Sequence, residues 1–91
     1  MFGNKKIQFT LRLTNRLESN RTVVLEPWTG EYRLSAGETL DVVVEGSPET
    51  PVEVELDAER IVVYAFDTTD SMLTAFRNGK ELNSEHETPA S

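Results

Sequence analysis

The sequence predicts an all-β fold: a single small antiparallel β-sandwich of about seven or eight short strands. Three observations carry that prediction. Apolar and polar residues alternate with a period of two over several short runs, the signature of strands with one face buried and one wet. Turn-forming residues recur at about 8–12-residue spacing. No helical pattern competes: helical spacing can be fitted to residues 71–77, but the β-rich surroundings and the Asn78-Gly79 pair outweigh it. The chain has 91 residues, enough for one domain with one core. A sandwich is favoured over a barrel because the inward sets of the early and late strands can then face each other across roughly 10 Å.

Ile7, Phe9, Leu11 and Leu13 alternate with Lys6, Gln8, Thr10 and Arg12, giving a first strand. Residues 15–20 are polar except Leu17 and read as a turn. A second strand runs from Arg21 to Glu26, where β-branched Thr22, Val23 and Val24 favour extended backbone. It stops before Pro27, which lacks an N–H and restricts the residue preceding it. A short strand over 31–34 follows, then a tight turn, Ser35-Ala36-Gly37-Glu38. Residues 39–45 form the next strand, with Leu40, Val42 and Val44 inward. Residues 46–51, Gly-Ser-Pro-Glu-Thr-Pro, are a loop of breakers. Val52, Val54 and Leu56 then alternate with Glu53, Glu55 and Asp57, the cleanest one-sided strand in the chain.

The last segments differ. Residues 60–66 place Ile61, Val63 and Ala65 on one face and Val62, Tyr64 and Phe66 on the other, so both faces are largely apolar. Residues 71–77 are two-sided as well, with Leu73 and Ala75 against Met72, Thr74 and Phe76. These two segments are expected to form a hairpin. Asn78-Gly79 is a strong two-residue turn signal leading into a brief strand over 80–82. Residues 1–82 are therefore expected to form the sandwich domain. Residues 83–91, whose only apolar side chains are Pro89 and Ala90, are expected to be a disordered polar tail.

The corner Leu25-Glu26-Pro27-Trp28-Thr29-Gly30-Glu31-Tyr32, the turn at Gly37-Glu38, the Val42/Val44 strand, the Ile61-Val62-Val63-Tyr64 run and Asn78-Gly79-Lys80-Glu81-Leu82 together carry a resemblance. Over roughly residues 10–82 the chain resembles a group of small uncharacterised bacterial proteins with a LEPWG-x-x-Y corner, a PGE turn and a C-terminal DGEEL-like hairpin. Here Thr29 is inserted before Gly30, and Ser35-Ala36-Gly37 stands where Pro-Gly is usual. The resemblance implies a fold and no activity. The Gly37-Glu38 turn into a valine-rich strand is also similar to cupredoxin-like sandwiches, which implies an Ig-like or cupredoxin-like Greek key.

Charge narrows the partners. Residues 1–33 carry six Lys/Arg and three Asp/Glu, net +3, whereas residues 34–91 carry three and thirteen, net −10, together the −7 of the whole chain. An acidic surface is repelled by nucleic acid and anionic lipid, so neither is expected as a partner. The asymmetry fits plain solvation of outward strand positions, or a head-to-tail electrostatic contact, or a basic partner for the acidic face. There is no Cys, hence no disulfide and no thiolate. No apolar run approaches a signal h-region or the ~18–20 residues of a membrane span. A cytoplasmic location is the expectation.

Catalytic chemistry is not indicated. A blue-copper site needs two His and a Cys thiolate, and the chain has one His, His86, in the polar tail. Nucleophilic catalysis needs a base held beside a Ser, Thr or Cys, and a tail histidine cannot be held so. Carboxylate pairs remain: Asp67 with Asp70, and Glu53, Glu55 and Asp57 on one strand face. Turn capping and edge protection account for them without catalysis or Ca²⁺. The glycines stand singly at turns and form no phosphate loop. No enzyme activity, cofactor or metal is expected.

Two positive signals remain. Val62, Tyr64, Phe66, Met72 and Phe76 would lie side by side on the second face of the expected hairpin, an apolar patch of the kind enriched at protein interfaces. Either it faces water and docks a protein or a second copy, or it is covered by Met1-Phe2 or the Trp28 corner. Trp28 and Tyr32 either pack the corner or stack a sugar or similar small molecule. The expected function is a non-enzymatic interaction or self-association module. The alternative is a carbohydrate- or small-molecule-binding sandwich using Trp28 and Tyr32.

Overall fold

The computed structural model describes residues 6–27, 30–48, 50–66 and 70–82. They form eight strands: β1 (Ile7–Thr14), β2 (Arg21–Glu26), β3 (Gly30–Leu34), β4 (Thr39–Gly46), β5 (Glu53–Leu56), β6 (Arg60–Tyr64), β7 (Met72–Arg77) and β8 (Lys80–Glu81). One sheet has the order β1-β4-β7-β8 and the other β3-β2-β6-β5. Hairpins join β2 to β3, β5 to β6 and β7 to β8, and the chain changes sheet at each of the other connections. Met1–Lys5, Trp28, Asp67 and the tail with His86 lie outside the described residues.

The period of two becomes the core through register. In the first sheet Phe9, Val44 and Leu73 share one row and Leu11, Val42 and Ala75 the next. In the second, Tyr32, Val23 and Ile61 form one row and Leu25 and Val63 another. These inward rows make a single apolar cluster, with Val23, Leu34, Leu40, Val42, Val44 and Val63 fully buried. The Asn78-Gly79 turn has positive φ at both residues, 55° and 79°, the mirror-image turn whose twist suits a two-residue hairpin.

Asn15 ties three segments together. Its side chain is buried and donates to the carbonyls of Ser19 and Leu34, both at 2.9 Å. Its Oδ1 accepts the Leu17 N–H at 3.0 Å. Its backbone bonds Glu38 and Gly37. In the same turn the Ser35 N–H donates to Glu38 Oε1 at 2.8 Å and holds that carboxyl below the usual carboxylate range.

Three expectations are corrected. The sandwich is not wholly antiparallel, because β2 and β6 pair in parallel, from Thr22↔Arg60 to Glu26↔Tyr64. The long excursion through β3, β4 and β5 supplies the crossover that parallel neighbours require. Secondly, β6 and β7 do not form a hairpin: β6 lies between β2 and β5 in one sheet, β7 between β4 and β8 in the other. Their two-sided apolarity comes from interior positions in two different sheets, where Val62 is buried on the outer face and Tyr64 and Phe76 are half-buried, while Met72 stays exposed. Thirdly, Val54 and Leu56 are not buried; β5 is an edge strand and is exposed along its whole length.

Candidate interaction surface

The two long sides of the sandwich are finished differently. On the β8/β3 side, the Arg77 guanidinium reaches across to the backbone carbonyl of Arg33, and Leu82 packs on the core. On the β1/β5 side the layers stay apart. An apolar cleft of about 530 Å³ opens there, lined by Ile7, Phe9 and Leu11 of β1, Val52 and Val54 at β5, Phe66, and the loop residues Pro48, Thr50 and Pro51. Further along the same side a second cleft of about 310 Å³ is lined by residues 14–17, Arg21, Leu56 and Ile61.

Local chemistry shapes the first cleft. Gly46 has φ +146°, and a Cβ there would stand 3.0 Å from the Phe66 ring and from Ser71 Cα. A glycine is therefore required for β4 to end against Phe66. The Ser47 N–H and hydroxyl both donate to Asp70, at 3.2 and 2.7 Å, fixing the start of the 47–51 loop. Phe66, just past the end of β6, is buried and meets Phe9 edge-on, with ring centroids 6.3 Å apart and planes at 74°. The cleft thus has a fixed aromatic floor.

Its rim is apolar and wet. Among the described residues five large hydrophobic side chains are exposed, and four line this side: Ile7 (40%), Leu17 (49%), Val54 (40%) and Leu56 (75%). Single exposed aliphatics are ordinary, but here four of them stand along one seam of the sandwich. Among the described residues both bordering strands are sheet edges, each with no strand paired on one side. Outward of the seam, β5 presents Glu53 and Glu55, with Asp57 just beyond. The outward positions of β1 are Gln8, Thr10, Arg12 and Thr14, preceded by exposed Lys6. Arg12 holds Asp41 with two bonds of 2.8 and 3.0 Å, which raises the guanidinium pKa and lowers that of the carboxyl.

The five residues expected to form one apolar patch are dispersed. Val62 is buried on the outer face of the second sheet, in register with Val24 and Glu55. Tyr64 shares that face, half-buried, and its hydroxyl donates to Glu55 at 3.1 Å. That bond, with the negative charge of Glu55, Glu26 and Glu53, raises the phenol pKa. Phe66 is in the core. Met72 is exposed and Phe76 half-buried on the outer face of the other sheet, beside Glu45 and Asp41 respectively. The patch does not exist because its two strands belong to opposite layers.

Of the expected ligand platform, Tyr32 is 8% exposed and part of the core, and Trp28 lies outside the described residues. A Cβ at Gly30 would come within 3.3 Å of the Tyr32 ring, so the corner is closely packed. Asp70 serves as the acceptor for Ser47, and its expected partner Asp67 is outside the described residues. Glu53, Glu55 and Asp57 stand exposed along β5 and just beyond it. Among the described residues no group of three or more His, Cys, Asp or Glu is placed to hold a metal ion. No helix among them is long and apolar enough to cross a membrane.

Sequence reasoning does not reach the seam: its strand side chains read as the inward faces of two strands, but alternation does not reveal which strands sit at sheet edges, nor that two edges lie over each other. No family model, no curated protein and no solved structure matches the chain.

Proposed function

We propose that this chain is a non-enzymatic protein-interaction module whose docking surface is the open seam between β1 and β5. One observation carries the reading: Ile7, Leu17, Val54 and Leu56, whose side chains belong to strand or turn positions beside the core, line one side of the sandwich in contact with water. A strand edge with unused backbone groups beside apolar clefts is suited to β-augmentation, in which main-chain bonds give affinity and the pockets select side chains. Two of the candidate carboxylates have non-catalytic uses: Asp70 accepts from Ser47 and Glu55 accepts from Tyr64.

The test is site-specific photo-crosslinking in cells. A photoreactive residue at Leu56 or Val54 is expected to give adducts to one and the same identified protein. The same residue at Lys80, on the far edge, is expected to give none. No protein adduct at positions 54 and 56, or equal adducts at position 80, overturns the proposal.

A further inference from the structure

The seam has a direction. The start of β1, at Ile7 and Phe9, lies beside Val52 and Val54, and its end, with Thr14 and Asn15, lies beside Leu56. The two edge strands therefore run the same way, one above the other in opposite layers. If two copies of this chain meet seam to seam about a two-fold axis, only two placements of that axis continue both sheets. An axis perpendicular to the sheets sets β1 against its own copy and β5 against its own copy, antiparallel. An axis along the strands sets β1 of each copy against β5 of the other, parallel, with heights along the strand preserved.

Charge separates the two arrangements. In the first, Glu53, Glu55 and Asp57 would face the same three carboxylates of the second copy, and like charges directly opposite destabilise a strand pair. In the second, by the order of the residues along the two clefts, exposed Lys6 lies toward the Val52 and Glu53 end of the neighbouring β5 and exposed Arg16 toward its Leu56 and Asp57 end. Each of these approaches occurs twice, as two-fold symmetry demands. The inward apolar side chains Ile7, Phe9, Val54 and Leu56 would then meet their counterparts in one continuous apolar layer.

We infer that the occupant of the seam is a second copy of this chain, in a closed dimer where β1 of each copy adds in parallel to β5 of the other. Each four-stranded sheet becomes eight-stranded, in the order β8-β7-β4-β1-β5-β6-β2-β3, the last four strands from the second copy. The basic N-terminal third and the acidic remainder of the chain then attract across the interface, and the two unprotected edges close on each other. The inference rests on the proposed role of the seam and names its partner.

Sedimentation equilibrium on the full chain at micromolar concentrations is the test. Wild type is expected to be a dimer, and Leu56→Lys a folded monomer, since Leu56 is 75% exposed and makes little of the core. Lys6→Glu is expected to weaken the dimer about tenfold, because a surface pair of under about 1 kcal/mol is lost twice. Adding Glu53→Lys is expected to restore it. The chain has no Cys, so engineered thiols report geometry cleanly. A Lys6→Cys chain mixed with a Glu53→Cys chain is expected to form a mixed disulfide, whereas Glu55→Cys alone crosslinks to itself only in the rejected arrangement.

A monomeric wild type, an unimpaired Leu56→Lys dimer, or self-crosslinking at position 55 overturns the inference. The photo-crosslink at Leu56 then separates the two readings. An adduct to a different protein sinks the dimer alone. An adduct within the same chain, at residues 1–5, sinks the docking role as well.

Discussion

Asn15 is the residue on which most connections depend. A side-chain amide is the only common group that donates twice and accepts once in so small a volume, which is what two carbonyls and one N–H around it require. Asn15→Ala leaves the Leu34 carbonyl and the Leu17 N–H without these bonds and is expected to cost about 2–4 kcal/mol, read from the urea midpoint. Asn15→Asp, close in shape, is expected to cost at least as much, because a carboxylate has no N–H to give and would face two carbonyl oxygens. A smaller loss for Asp than for Ala would show that the two donated bonds contribute nothing. Sequence alone shows an Asn at a strand end, a common turn residue, and nothing distinguishes this one from Asn20, which is exposed.

At the scale of elements, the alternation of apolar residues located nearly every strand to within a residue or two. Gly30 joins β3 one residue early, and β6 ends at Tyr64 rather than Phe66. Alternation could not say which strands are central. Val63 and Val54 sit in register on adjacent strands, yet Val63 is fully buried and Val54 is 40% exposed. The difference is only that β6 has neighbours on both sides and β5 on one. The same information was missing for β6 and β7, whose apolar outer faces looked like one surface until the layers separated them. The energetic consequence is measurable. Val63→Ala deletes two methyls from a close-packed row and is expected to cost about 2–3 kcal/mol. Leu56→Ala, removing more carbon, is expected to change the stability of the dilute monomer by less than about 0.5 kcal/mol. Equal losses in urea melts would mean that β5 is as well covered as β6, and the seam reading would go with it.

For the whole molecule, the decisive quantity is where the charge lies relative to the apolar seam. Beyond residue 33 the chain is net −10, and two of those carboxylates, Glu53 and Glu55, stand on the outer face of the second sheet. The hydrogen bond to Glu55 chiefly raises the Tyr64 phenol pKa, with desolvation and the negative charges of Glu55, Glu26 and Glu53 adding to it. Along β5 the carboxylates at 53 and 55 stand on one face two residues apart, with no cation beside them on β6 except Arg60 at its start. Repulsion of this kind is long-ranged and exposed, so salt weakens it: the screening length falls from about 30 Å at 0.01 M to about 8 Å at 0.15 M. Raising salt over that range is expected to raise the melting temperature of the monomeric Leu56→Lys chain. Replacing Glu53 with Gln in that background is expected to raise it at low salt and to flatten the salt response. The monomer is the right subject, because in the dimer the same carboxylates would be attracted to Lys6 and Arg16, and salt would act in the opposite sense on assembly. If salt lowers the melting temperature of the monomer instead, the acidic face is already neutralised within one chain. The electrostatic reason for choosing one two-fold axis over the other then disappears.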